Sequence, residues 1–333
     1  SKASGLSILT NNQGDITLAS SDVTLDNAKI VSYGQQVVSS LAGSATGQIQ
    51  IRGMQGAQSL ADQVTISNKS LLHTAGTASD CDCIVLGRDV SIQTNNLDIA
   101  DSRLSTTQGI VSVFAENELF SRGGNTFEKD GSVQNLRANQ NDIELTAGKR
   151  ISLGQGDFIA GKLGGGLFAL PIKGDVVIKA PVVSMSGTTV EANGDTIVRG
   201  GDIAIRADET EITGSRFSTN GLGGTPVPGS GTAGSIKITG MQDGVKAETI
   251  TLVKSTVESL VTQAGSNLGV FGNSGSIILE GNNVLLDGST VSVTHGGAGQ
   301  SGSIIVNVGS LTLTNGSNLT SAASGKDFSS GST

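Results

Sequence analysis

The sequence predicts an all-β chain, a right-handed parallel β-helix with three short strands in each of about ten coils. Three observations carry that expectation. A small polar or Gly step followed by apolar-x-apolar recurs along the whole chain, the composition disfavours helices, and well-separated copies of the repeat lie 27 residues apart, as from Val176 to Ile203 and from Ile277 to Ile304.

The first strand of each unit is the clearest. It reads Gly14-Asp15-Ile16-Thr17-Leu18, Gly47-Gln48-Ile49-Gln50-Ile51, Arg88-Asp89-Val90-Ser91-Ile92, Gln108-Gly109-Ile110-Val111-Ser112-Val113 and Asn141-Asp142-Ile143-Glu144-Leu145. It continues as Gly174-Asp175-Val176-Val177-Ile178, Gly201-Asp202-Ile203-Ala204-Ile205, Gly234-Ser235-Ile236-Lys237-Ile238, Gly275-Ser276-Ile277-Ile278-Leu279 and Gly302-Ser303-Ile304-Ile305-Val306. Alternation with period two places both apolar residues on one face of a strand and the middle residue on the other. Ile16, Ile49, Val90, Ile143, Val176, Ile203, Ile236, Ile277 and Ile304 are therefore expected to be buried in a line.

A second apolar-x-apolar pair follows in many units: Val23 and Leu25, Leu97 and Ile99, Ile151 and Leu153, Val183 and Met185, Val284 and Leu286, Leu311 and Leu313. A third strand follows a Ser-x-apolar step, as at Leu104, Phe217, Val257, Val291 and Leu319. One such unit cannot bury its apolar face alone; stacked units bury one continuous core, and ten of them at ~4.8 Å per rung make a rod roughly 50 Å long.

Composition agrees. Gly occurs 48 times, Trp is absent, Tyr33 is the single Tyr, and charged residues are only 15% of the chain, so solvated helical surfaces are scarce. Ser, Thr, Asn, Gln and Asp fill the polar positions and suit turns and strand faces. The net charge of -8 makes nucleic acid and anionic membrane poor partners, and no apolar stretch approaches the ~20 residues of a membrane span. Residues 1–333 read as a single β-solenoid domain with insertions at coil corners. The insertions are expected at Gly53-Met54-Gln55-Gly56, its second copy Gly240-Met241-Gln242-Asp243-Gly244, and at 116–139, 161–171, 220–233 and 262–274. Leu6-Ser7-Ile8-Leu9 already reads as strand and the last unit finishes near Ser321, so both ends are expected to be open. That predicts either a segment of a longer chain or a protomer that stacks end to end.

The unit from Gly302 through Ser310-Leu311-Thr312-Leu313-Thr314-Asn315-Gly316-Ser317-Asn318-Leu319 resembles the repeats of large filamentous-haemagglutinin-like exoproteins, and the Gly-Met-Gln-Gly loop is similar to insertions in the same broad family. The resemblance implies a right-handed β-helix, two-partner secretion through an outer-membrane transporter, an extracellular or bacterial cell-surface location, and roles in adhesion, biofilm or cell contact. It implies host or neighbouring cell-surface glycans or proteins as partners. The Asn-Pro-Asn-Leu signature of that family's secretion domain is absent, which places the segment downstream of it or makes it a divergent relative.

No catalytic, cofactor or metal residues are assigned. Asp15, Asp142, Asp175 and Asp202 recur before the first strand but give way to Gln48, Ser235, Ser276 and Ser303, as a corner needing only a small backbone-bonding side chain would allow. The fallback is a β-helical polysaccharide lyase or hydrolase, by fold analogy alone. Phe114, Phe120 and Phe127 are expected to pack under the insertion around them. His73 and His295 read as surface residues of third strands or turns. Cys81 and Cys83, separated by Asp82, read as a loop disulfide or free thiols. Ile278 and Ile305, at the normally polar middle of the first strand, together with Leu285, mark a lateral contact surface between copies or the floor of a covering loop.

Overall fold

The computed structural model describes residues 2–10, 14–35, 47–56, 58–77, 89–106, 109–131, 143–163, 174–194, 200–223, 232–263, 273–296 and 300–323. Every regular element among them is a β-strand, and every strand pairing is parallel. Two sheets result, of 17 and 11 strands.

The register explains both. First strands pair with first strands of the next repeat: Ile16 opposite Ile49, Ile49 opposite Val90, Val90 opposite Val111, Val111 opposite Ile143, and onward through Val176, Ile203, Ile236 and Ile277 to Ile304. We number the units 1 to 10 by these residues. Second strands pair likewise, as Val64 with Leu97 and Ile151 with Val183, and share the larger sheet. In Val90–Ile99, Val111–Ser121, Ile277–Asp287 and Ile304–Thr314 the first and second strands run on as one. Third strands form the smaller sheet, with Leu72, Leu104, Phe127, Ile159, Val190 and Phe217 in one row.

The apolar positions of all three rows meet in one core. Ile49 through Ile277 in the first-strand row are fully buried and Ile16 nearly so. The expected line holds with one register change: in unit 4 the ladder residue is Val111, while Ile110 sits half-buried at the corner. The last unit differs for a plain reason. Among the described residues no strand lies on its far side, so Ile304 is only half-buried and the inward positions Leu311 and Leu313 are exposed, whereas their partners Val284 and Leu286 are buried.

The corner from second to third strand repeats a left-handed residue. Asn27, Lys69, Asp101, Gly124, Gly156, Gly187, Gly214, Lys254, Gly288 and Gly316 all have φ between 45° and 82°. Each N–H up to Gly288 bonds a carbonyl of the following unit, as Gly214 N–H to Val253 O at 2.8 Å and Lys254 N–H to Asp287 O at 2.7 Å. A second constraint sits before the first strand. A Cβ on Gly234 would lie 1.8 Å from the carbonyl oxygen of Gly201, and one on Gly275 would lie 1.9 Å from that of Gly234. Gly174, Gly201, Gly234, Gly275 and Gly302 thus stack backbone on backbone.

Several expected insertions move. Residues 116–131 are no excursion: they complete the strand Val111–Ser121 and form Thr126–Gly131. Likewise Phe158–Leu163, Arg216–Gly223 and Thr256–Gln263 absorb the first residues of the stretches beginning at 161, 220 and 262. Apolar spacing alone did not reveal how far the third strands run, because their later inward positions are small polar residues such as Thr219 and Ser259, both fully buried. The remainder of these stretches falls between third and first strands. The Gly53 and Gly240 loops do sit at one shared corner, between first and second strands of units 2 and 8.

Candidate functional site

The recurring carboxylates are taken up by the backbone. Asp15 Oδ1 accepts the N–H of Gln48 at 3.0 Å, Asp89 Oδ1 that of Ile110 at 3.0 Å, Asp175 Oδ1 that of Asp202 at 2.7 Å and Asp202 Oδ1 that of Ser235 at 2.8 Å. Ser235 and Ser276 continue the ladder, each accepting the next unit's N–H at 3.2 Å. A hydroxyl and a carboxylate serve interchangeably because each offers an acceptor to one N–H, and unit 4, with Ile110 at this position, does without it. Asp142 lies outside the described residues.

A second ladder, at the corner preceding the third strand, runs the other way. Here the side chain of the later unit accepts from the earlier one: Ser70 from Ala28, Asn125 from Ser102, Ser215 from Thr188, Ser255 from Ser215, Ser289 from Ser255 and Ser317 from Ser289. In unit 5 the position is Asp157, 1% exposed. Its carboxylate accepts from the Asn125 N–H at 2.9 Å, the Asn125 side-chain amide at 3.1 Å, the Gly154 N–H at 2.8 Å and the Ser121 hydroxyl. Asn125, fully buried, also donates to Ser121 Oγ at 2.8 Å. So many donors compensate a buried carboxylate, and the network closes on itself rather than on an open site.

The outer face of the larger sheet carries the accessible chemistry. Phe114 and Phe120, 37% and 48% exposed, stand on it with Glu116 and Glu118 between them, all on the strand Val111–Ser121. Phe127 is fully buried in the third-strand row. The expectation that the three pack together under a loop is therefore corrected: alternation along two different strands sends Phe127 inward and the others out. Near the C-terminal end, Ile278 and Ile305 are register partners, and Leu285 lies on the same face opposite Thr312. Ile278 and Leu285 are half-buried by rungs on either side; Ile305, in the last unit, is 46% exposed. Most of residues 262–274, the suggested cover, lies outside the described residues.

Ion pairs bridge neighbouring units on exposed faces: Arg103 with Glu128 at 2.6 Å, Lys237 with Glu280 at 3.2 Å, Arg206 with Asp243 at 3.1 Å, Arg122 with Asp98 and Arg216 with Glu258. Hydrogen bonding to Glu258 holds the Arg216 guanidinium above its ordinary pKa, and bonding to Asp98 does the same for Arg122.

His73 and His295 both lie in third strands, in Leu71–Thr77 and Thr290–His295. His73 is half-buried with Nδ1 2.8 Å from Ser105 Oγ. His295 corrects the surface reading: it occupies an inward position and is fully buried. Cys81 and Cys83 lie outside the described residues. Among the described residues no group of three or more His, Cys, Asp or Glu is placed to hold a metal, and no helix is long and apolar enough to cross a membrane. No family model, no curated protein and no solved structure matches the chain.

Proposed function

We propose that the chain is a right-handed parallel β-helix that acts as a secreted structural or adhesive surface element, without catalytic activity. The observation that carries this reading is the unbroken parallel register of three strand rows through ten successive units, the arrangement of a rod whose repeats are joined by corner hydrogen bonds. The repeated carboxylates each give one oxygen to a backbone N–H of the next unit, which supports a structural role for them. The sequence resemblance adds the setting: export by two-partner secretion through an outer-membrane transporter, a place at the bacterial cell surface, and contact with glycans or proteins of other cells or with further copies.

Purified chain tested on a polysaccharide panel, beside binding to whole cells, decides between the classes. Saturable cell binding without depolymerisation is the expected result. Turnover that disappears on replacing Glu116 or Glu118, the exposed carboxylates between the phenyl rings, would establish the enzyme instead.

A further inference from the structure

We propose that Met54 is a site of reversible oxidation, where the thioether takes one oxygen atom from hydrogen peroxide or an organic hydroperoxide and the fold is left intact. Exposure, a loop that the fold does not require, and a loop backbone held without the methionine side chain meet at this residue.

Met54 is 70% exposed, more than any other large apolar residue among the described residues. It stands in unit 2, whose first and second strands are paired on both sides, so its exposure does not come from an unpaired edge as that of Leu311 and Leu313 does. Other units turn the same corner without a loop. First and second strands run on as one in units 3, 4, 9 and 10. Two residues join them in units 1, 5, 6 and 7, as Ser20-Ser21, Gly148-Lys149, Ala180-Pro181 and Ala207-Asp208. Units 2 and 8 insert 53–60 and 240–246 there, and both insertions open on Gly-Met-Gln.

The unit 2 loop is closed by its backbone and two polar side chains. Gly53 N–H donates to Ser59 O at 2.8 Å, Ser59 Oγ to Gly56 O at 2.8 Å, and the Arg52 guanidinium to Gly53 O at 3.0 Å and Gly56 O at 2.7 Å. None of these bonds involves the thioether, so an oxygen added to it leaves them standing. The other two of the chain's three methionines are placed differently. Met241, at the matching position of the unit 8 loop, is half-buried. Met185 faces inward in the second-strand row, 1% exposed, with Leu153 and Ile212 as register partners. An S=O dipole there would lie in the apolar core, whereas at Met54 it lies in water.

In the reaction the Met54 sulfur attacks one peroxide oxygen, an S–O bond forms and the O–O bond breaks. The departing hydroxide takes the proton of the transferred OH and leaves as water, or as an alcohol from a hydroperoxide. Sulfur is oxidised by two electrons and the peroxide is reduced by two. The loop tip changes from a flexible apolar side chain to a polar one, and sulfoxide reductases can reverse the change.

Peptide mass mapping of the full chain, thiols blocked with N-ethylmaleimide and treated with dilute hydrogen peroxide, tests this. Met54 should gain one oxygen first, Met241 more slowly, and Met185 at least about tenfold more slowly than Met54. The circular dichroism spectrum and melting temperature should be unchanged once Met54 alone is oxidised. Two methionine sulfoxide reductases, one for each epimer, supplied with a dithiol, should return the parent mass as the dithiol becomes disulfide and water is released. Met54→Leu should abolish the fast oxygen uptake and keep the parent's melt. Met54 reacting no faster than Met185, a sulfoxide that the reductases do not reduce, or a melting temperature lowered by oxidation at Met54 would each overturn the proposal.

Discussion

Asp175 Oδ1 accepts the backbone N–H of Asp202 at 2.7 Å, 27 residues further along the chain. A side chain of one unit thus completes the corner of the next, and Asp202 repeats the act for Ser235. The same geometry serves hydroxyls at Ser235 and Ser276, so a hydroxyl can replace the carboxylate where an acceptor is used, while unit 4 has Ile110 at this position and supplies none.

Replacing Asp202 tests that rule. Asp202→Ala leaves the Ser235 N–H unpaired and should cost about 1–2 kcal/mol, whereas Asp202→Ser should lie within about 0.5 kcal/mol of the parent. Urea unfolding followed by circular dichroism measures both; equal losses would show that the carboxylate acts through its charge.

Glycine at 234 is required by space. A Cβ there would sit 1.8 Å from the Gly201 carbonyl oxygen, so Gly234→Ala should cost about 3 kcal/mol. Gly244, with φ of 78° and nothing within 4 Å, lies in the exposed loop, and Gly244→Ala should cost only about 1 kcal/mol. Melting temperatures of the two variants give the comparison directly.

The buried Asp157 holds unit 5 to unit 4. Asp157→Ala strands the Gly154 and Asn125 donors and should destabilise by about 3 kcal/mol, with Asp157→Asn recovering part. Hydrogen exchange should show the loss concentrated in the strands Thr126–Gly131 and Phe158–Leu163; uniform loosening of all the strands would contradict it.

Arg216 and Glu258 should matter little to stability. The guanidinium is half-exposed, so solvent screening limits the pair, and Arg216→Ala should cost less than about 1 kcal/mol. Its pKa is raised on folding, so the contribution is fully present below the ordinary guanidinium range and is lost only as pH climbs through the still higher folded value. Between pH 5 and pH 9, in roughly the range where Arg stays charged, the difference between parent and variant melts should therefore be flat from this group.

Much of the fold is written in local pattern. Alternation around Ile203 and Ile236, and the 27-residue spacing, specify strand, inward face and repeat, because a two-residue period and an unsatisfied apolar edge leave little else for the chain to form. The small polar residue before most first strands could also be read as a backbone acceptor, since Asp and Ser alternate there without regard to charge. Stacking decided the rest. Whether Phe127 is core and Phe120 surface depends on where one strand stops and the next begins, and whether His295 is inward depends on how far its strand runs, neither of which apolar spacing records. Asp157 looks like any turn aspartate until unit 4 brings Asn125 and Ser121 around it. Pattern within 27 residues fixes what each unit is; only the register between units fixes which polar groups are enclosed and which columns face solvent, because those contacts join residues that the chain keeps far apart.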